Sequence, residues 1–385
     1  MRRILYIHQY FKTPKESGAI RSYHIAKGMV KRGHHVDMIT GGNGRSYQLE
    51  VVEGIMVHRL PIAYTNNYSF LKRSISFVKF VSSSLALIGK LPKSDLVYAT
   101  STPLTVGIIS LWLKWKKNIS YVFEVRDLWP EAPIQLGVIR SRAIKFLLKK
   151  LEKKIYLNAS RIVALSPGIK EGILAVDNSL QVDVIPNMSD VSFFDPISTS
   201  EKRTFTIGYF GTFGIANDIN FILEIAHHCH QEKLPIEFLL IGEGSEKGTI
   251  ELKAHELGLR NITFFEHVNR IAVREYLSKV DASITCFQDR PILQTNSPNK
   301  FFDGLAAGKL MIVNTKGWLK DLVEENDCGF YIDPDETEEF TTLILPYLSN
   351  QSLLIEARKN SRRLAENQFP KDPLVEQVCD LLPES

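Results

Sequence analysis

The stretch VDVIPNMSDVSFFDPISTSEKR, residues 182–203, decides how the rest of the chain is read. It is rich in proline, serine and aspartate and interrupts an otherwise regular pattern, as a linker does. Before it, the apolar runs RILYIHQYF (3–11), HVDMIT (35–40), DLVYAT (95–100), SYVFEVRD (120–127) and RIVALS (161–166) alternate with helical patterns such as AIRSYHIAKGMVKRG (19–33). After it, the alternation restarts with FTIGYFG (205–211), IEFLLIG (236–242), ITFFEHV (262–268), ASITCF (282–287), LMIVNT (310–315) and GFYID (329–333). Near-continuous apolar strands separated by helices indicate parallel sheets covered on both faces. The expectation is an α/β protein of two Rossmann-like, doubly wound domains facing across a cleft. A first domain is expected over 1–190, a linker over 191–203 and a second domain over 204–369, with a closing helix over 370–385.

Composition agrees with a folded, water-compatible protein: 44% of the 385 residues are hydrophobic and 23% charged. A chain of that length exceeds what one hydrophobic core usually organises. Cys229, Cys286, Cys328 and Cys379 lie far apart, without a CxxC pair or a histidine cluster. That argues against a disulfide framework or a zinc site and for a reducing, cytoplasmic setting. MRRILYIHQYF is too short and too interrupted for a signal peptide and reads as a first buried strand. The longest uncharged stretch, Tyr98–Leu113, contains Pro103 and is too short to span a bilayer.

Net charge is only +4, but it is unevenly spread. IRSRAIKFLLKKLEKKIY (139–156) carries seven basic residues against the single acid Glu152, with Ile144, Leu147, Leu148, Leu151 and Ile155 at helical spacing. FLKRSISFVKFVSSSLALIGKLPK (70–93) mixes Lys72, Arg73, Lys79, Lys90 and Lys93 with Phe77, Val78, Phe80 and Val81. Basic amphipathic helices around 70–93 and 140–156 suit an anionic membrane surface, and equally a solvated face over a core stripe. No nucleic-acid module accompanies the charge, so nucleic acid is not an expected partner.

The loops that follow strands are where an open α/β sheet binds its ligands. KTPKESGAIRSYHIA (12–26) places Gly18 and Arg21 before a helix, without the GxGxxG spacing of a dinucleotide site. FEVRDLWPEAP (123–133) gathers Glu124, Arg126, Asp127, Trp129 and Glu131 at a strand end, where charges are costly unless paired or used. GTFG (Gly211–Gly214) and IGEG (Ile241–Gly244) present glycine-loop amides to an anion. TNSPNKFFDGLAAGKL (Thr295–Leu310) reads as a helix with Ser297 as N-cap and Pro298 at its first position. Lys300 and Asp303 then share one face, as a phosphate site beside a hydroxyl receptor would require.

Taken in order, SGAIRSYHIAKGMVKRGHHVDMITGG, VFEVRDLWPEAP, VIPNMSD, GYFGTFG, LLIGEG and SPNKFFDGLAAGK resemble the GT-B family 4 glycosyltransferases of bacterial O-antigen and capsule synthesis. The resemblance implies two facing Rossmann-like domains, the closing helix returning to the first. It implies transfer of a sugar, with retention, from a nucleoside diphosphate donor to a lipid-linked or polysaccharide acceptor at the cytoplasmic membrane face. No cofactor or metal is implied, and no DxD-type pair is present. Family members carry two glutamates, the second five residues before a glycine; Asp303 takes that place before Gly308 and Thr295 takes the first. By resemblance Asp303 holds the ribose, and Lys300, Ser297 and Asn299 face the diphosphate.

The Arg/Lys pair that often follows the glycine loop is absent from GTFGIANDIN, which leaves Arg290 and Lys300 to carry that charge. Gly211, Thr212, Gly214, Gly242, Glu243, Thr295 and Arg290 complete the donor set. On the first domain, Asp127, with Arg126, is expected to act in catalysis, and Gly18, Arg21, Glu124 and Trp129 to serve the acceptor. The missing glutamate suggests a donor other than plain glucose or mannose, such as an acetamido or deoxy sugar, and a UDP-linked donor is expected. Two other readings stay open: a degenerate nucleotide- or lipid-binding homologue, and a GT-B-type nucleotide-sugar epimerase.

Overall fold

In the computed structural model, residues 1–16, 18, 20–65, 68, 70–194 and 204–383 are described. The first sheet is formed by β1 (Arg3–Ile7), β2 (His35–Gly42), β3 (Gln48–Val52), β4 (Ile55–Pro61), β5 (Leu96–Thr100), β6 (Ser120–Val125), β7 (Arg161–Ala164) and β8 (Val182–Val184). Its order is β3-β4-β2-β1-β5-β6-β7-β8, parallel throughout except for the β3–β4 hairpin. The second sheet contains β9 (Phe205–Phe210), β10 (Ile236–Ile241), β11 (Ile262–Phe265), β12 (Ala282–Thr285), β13 (Leu310–Val313) and β14 (Gly329–Tyr331). Its order is β11-β10-β9-β12-β13-β14, and every pair is parallel. Strand order reverses between β1 and β5 in one sheet and between β9 and β12 in the other, which opens a crevice at each carboxyl edge.

All eleven apolar runs read from the sequence become strands. The hairpin was not among them, and β8 forms inside the segment read as a break, pairing with β7 from Ile162–Val182 to Ala164–Val184. Of the expected linker 191–203, residues 195–203 lie outside the described residues, as do 384–385 of the closing helix.

One continuous apolar cluster runs from Ile4 and Ile25 of the first domain through Met188 to Phe302, Val313 and Phe369. The closing helix Lys371–Asp380 packs on the helix Arg21–Lys31 of the first domain. Gly28 permits that approach, since a Cβ there would lie 2.3 Å from Val375 Cγ1. Arg32 adds ion pairs with Glu376 and Asp380. Ser189 meets the start of this closing segment, its N–H donating to Phe369 O at 2.8 Å. The two domains therefore share a hydrophobic junction, with the crevices of both sheets turned toward one another.

Candidate active site

A cavity of about 560 Å³ lies between the carboxyl edges of the two sheets. Its walls come from the loops after β9, β10, β11 and β12 on one side and after β1, β6 and β7 on the other. Gly18, Arg126, Asp127, Gly211, Thr212, Glu243, Ser297, Asn299, Lys300 and Asp303, expected from the sequence, all line it.

Lys300 sits at the centre of the second-domain wall. The helix Asn299–Ala306 buries Phe301, Phe302 and Leu305 behind it, which fixes Lys300 on the face toward the cavity. Its Nζ donates to Tyr209 Oη at 3.0 Å and to Asn217 Oδ1 at 3.1 Å, and stands 4.2 Å from the Tyr209 ring centroid. Among the described residues no carboxylate lies within ion-pair distance of it. Burial therefore pushes its pKa down to about 8. A Cβ at Gly211 would stand 3.0 Å from Tyr209 Oη and 3.1 Å from that Nζ, so those two side chains would have to shift slightly. Gly242, at φ +156°, passes so close that a Cβ would fall 1.8 Å from Gly211 O. The two glycine loops are thus locked together, with Phe213 N–H donating to Glu243 O at 2.9 Å.

Asp303 faces the same cavity but is not alone. Arg270, at the start of the helix Arg270–Lys279, donates to both its oxygens at 3.2 and 3.4 Å. The guanidinium lies 4.9 Å from the Phe194 ring centroid and 5.1 Å from that of Phe193. Burial raises the Asp303 pKa and Arg270 opposes the rise. Arg270 was not among the residues chosen from the sequence. It follows β11 as Gly211 follows β9, so the strand-end rule applied to FFEHVNR was the signal that could have found it.

On the first-domain wall, Asp127 is half-buried, and its partial removal from water raises its pKa against the opposing influence of Arg126. Thr102 Oγ1 donates to Asp127 Oδ2 at 3.3 Å. Thr102 also lines a second, larger cavity of about 990 Å³, together with Trp129, Tyr10, Tyr64 and Phe77. Glu243 and His267 line both cavities, so the two adjoin, and Thr102 links the larger one to Asp127.

Several expected placements are corrected. Arg21 and Glu124 line neither cavity: they form a fully buried pair at 3.0 Å, with Arg21 also donating to Ile185 O and Glu124 accepting from Tyr98 Oη at 2.8 Å. Glu124 had to be satisfied, and Arg21, not a ligand, satisfies it. Arg290 is exposed and stands outside both cavities; the arginine that lines the second-domain wall is Arg270, which is paired with Asp303. Thr295 turns away, its Oγ1 donating to Ile292 O at 2.8 Å. Gly214 and Gly242 shape the loops from behind and do not line the cavity. Ser297 does not cap the helix, which begins at Asn299 after the extended Pro298. Its Oγ instead accepts from Asn187 N–H at 3.3 Å, tying the helix start to the first domain. Trp129 belongs to the larger cavity, away from the donor-side groups. Among the described residues no group of three His, Cys, Asp or Glu side chains could hold a metal ion.

Comparison with known proteins accounts for this arrangement. Residues 18–188 match the glycosyl transferase 4-like domain and residues 190–367 the glycosyl transferases group 1. The chain is 22% identical over 388 residues to the putative colanic acid biosynthesis glycosyl transferase WcaI of Escherichia coli, covering 91% of this chain and 92% of that one. Sucrose-phosphate synthase from Thermosynechococcus elongatus superposes with a TM-score of 0.82 at 18% identity, over 99% of this chain and 98% of that one. Anabaena HepE, solved with UDP-glucose, superposes with a TM-score of 0.70 at 17% identity, over 99% of each chain. With both domain families matched in order across two parallel sheets, the chain belongs to the family 4-like glycosyltransferases of GT-B fold.

Proposed function

We propose that this glycosyltransferase moves a sugar, with retention, from a UDP-linked donor to a lipid-linked or polysaccharide acceptor during surface-polysaccharide assembly at the cytoplasmic membrane face. The observation that carries the donor half is the Lys300 ammonium, with no carboxylate in ion-pair reach among the described residues, beside the glycine loops and the start of the helix Asn299–Ala306 and facing a cavity large enough for a nucleotide sugar. The diphosphate would lie against Lys300 and the loop amides, which strengthen their hold as charge grows on the departing oxygen. Asp303 would accept the ribose hydroxyls, and Asp127, which Thr102 links to the larger cavity, would orient the acceptor hydroxyl. On this reading Lys300 and Arg126 meet the diphosphate charge, and no metal is invoked. UDP as the nucleotide, and colanic acid as an example of the product class, are properties of the similar HepE and WcaI proteins and support the reading by analogy.

Thermal unfolding of the purified protein against UDP, GDP, ADP and TDP tests it. A ligand that binds only the folded state at a hundredfold excess over Kd adds about 2.7 kcal/mol. UDP is expected to raise the midpoint, and a donor panel should then release nucleotide fastest with an acetamido or deoxy sugar and be insensitive to chelator. No shift with any nucleotide overturns the reading in favour of a degenerate homologue.

The membrane half rests on two helices of the first domain. Arg142–Asn158 exposes Phe146 and Leu147 by 67% and 62%, and its only acid, Glu152, is buried. Phe70–Ile88 exposes Leu71, Ile75 and Val78, which recur on one side of the helix. Large apolar side chains among lysines, on helices otherwise anchored in the core, fit an anionic bilayer surface. Each lysine near such a surface contributes about 1 kcal/mol. The protein should sediment with phosphatidylglycerol vesicles and not with phosphatidylcholine vesicles. Lys145→Glu, Phe146→Ser, Leu147→Ser and Lys150→Glu together should leave it in the supernatant; unchanged sedimentation of that variant contradicts the assignment. Among the described residues no helix is long and apolar enough to cross a membrane.

A further inference from the structure

The larger cavity has a chemistry of its own. Tyr10, Tyr64, Phe77 and Trp129 form a connected aromatic wall, with centroid separations of 4.5 Å (Tyr10–Tyr64), 5.8 Å (Tyr64–Phe77) and 6.2 Å (Phe77–Trp129). Beside it lies Gln9, 2% exposed, which lines the cavity while neither its Oε1 nor its Nε2 has a hydrogen-bond partner. A buried amide with both its donor and its acceptor unmet is expensive unless something else meets them. Of the basic groups lining it, Arg59 and Lys12 are already engaged, and Lys15 is exposed to solvent. Arg59 pairs with Glu50 at 2.6 Å and Glu16 at 3.0 Å, and Lys12 pairs with Glu16 at 3.3 Å. In the neighbouring donor cavity, Lys300 and Arg126 have no such partners among the described residues.

We infer that this cavity seats an uncharged sugar residue already carried by the acceptor, so that the enzyme extends a glycan and does not begin one on a bare lipid diphosphate. The inference rests on the glycosyltransferase reading and names the acceptor class within it. A pyranose offers a face of polarised C–H groups to the negative surface of aromatic rings. It also offers hydroxyls that both donate to Gln9 Oε1 and accept from Gln9 Nε2. Beside an aromatic wall that repels anions, a diphosphate would meet Arg59 and Lys12 already neutralised by Glu16 and Glu50, and only the solvent-exposed Lys15 without an ion pair among the described residues. A sugar seated here adjoins the donor cavity, through the shared Glu243 and His267, and reaches Asp127 by way of Thr102. An earlier transfer that places the first sugar on the carrier must then supply this enzyme's substrate.

The test is saturation-transfer NMR on the UDP-bound protein with methyl glycosides of glucose, galactose, mannose, rhamnose and N-acetylglucosamine, with inorganic pyrophosphate and farnesyl diphosphate as competitors. At least one glycoside is expected to bind and to survive both competitors. Gln9→Leu and Trp129→Ala should each weaken that binding roughly tenfold, the equivalent of one hydrogen bond or stacking contact. Gln9→Leu removes an unpartnered amide, so its melting temperature should not fall. Displacement by farnesyl diphosphate, or UDP binding with no glycoside binding, overturns the inference and leaves the glycosyltransferase reading standing. Absence of both UDP and glycoside binding removes the two together.

Discussion

Lys300→Met is expected to lower kcat by about two to three orders of magnitude, the usual loss for one donor to a developing oxyanion, and at the same time to raise the melting temperature. The two effects share a cause. The ammonium is held by a phenol and an amide, without a carboxylate, and burial brings its pKa down to about 8. Its charged form is thus disfavoured in the folded protein and awaits an anion. Methionine fills the same space without that cost. The pH dependence follows in sign. Between about pH 8 and the ordinary lysine value of 10.5, the unfolded chain binds more protons than the folded one, so wild-type stability rises with pH across this window. UDP affinity falls across the same window, because the cation that meets the diphosphate is being lost. Both trends should vanish in Lys300→Met. Calorimetric melts from neutral pH to pH 10, with and without UDP, read both; a variant that melts earlier, or an unchanged kcat, refutes the role.

Asp303→Ala should fail in two separable ways. Nucleotide affinity is expected to fall roughly ten- to hundredfold, since a carboxylate bound to hydroxyls contributes about 1.5–3 kcal/mol. Stability should also fall by about 3 kcal/mol, because Arg270 is left without its acid between Phe193 and Phe194. Adding Arg270→Met removes the stranded charge, so the double variant should recover most of the stability and none of the nucleotide affinity. If the double variant binds UDP as the wild type does, Asp303 serves only to hold Arg270, and the ribose contact is wrong.

The sequence carried the sheets well for a physical reason. Parallel strands buried on both faces must be apolar along their whole length, so runs such as FTIGYFG and LMIVNT stand out. The β3 strand QLEVV lies at the sheet edge with four of its five residues exposed, and so lacks that mark. Pairings between distant residues were equally invisible. Glu124 and Arg21 are 103 positions apart, and nothing local distinguishes a carboxylate that neutralises a core arginine from one that faces a ligand. The choice between Arg290 and Arg270 failed the same way: both follow strands, and only the packing of Phe193 and Phe194 against Arg270 aims it at Asp303. Ser297 shows tertiary override of a local preference, its hydroxyl going to Asn187 across the domain junction when a cap was available.

The return of the helix Lys371–Asp380 to the first domain also bears on how the protein is made. Its partners on the helix Arg21–Lys31, Gly28 above all, leave the ribosome more than three hundred residues before Val375 and Cys379 do. Domains tend to fold in the order of their synthesis. Here the face of that helix around Gly28 must wait without Val375 and Cys379 against it until the second domain has been translated. During that interval the nascent chain presents a surface for chaperone capture, or for mispairing with the helix of a neighbouring copy. Folding yield in the cell is thereby tied to the last elements translated, although those elements stand apart from the chemistry.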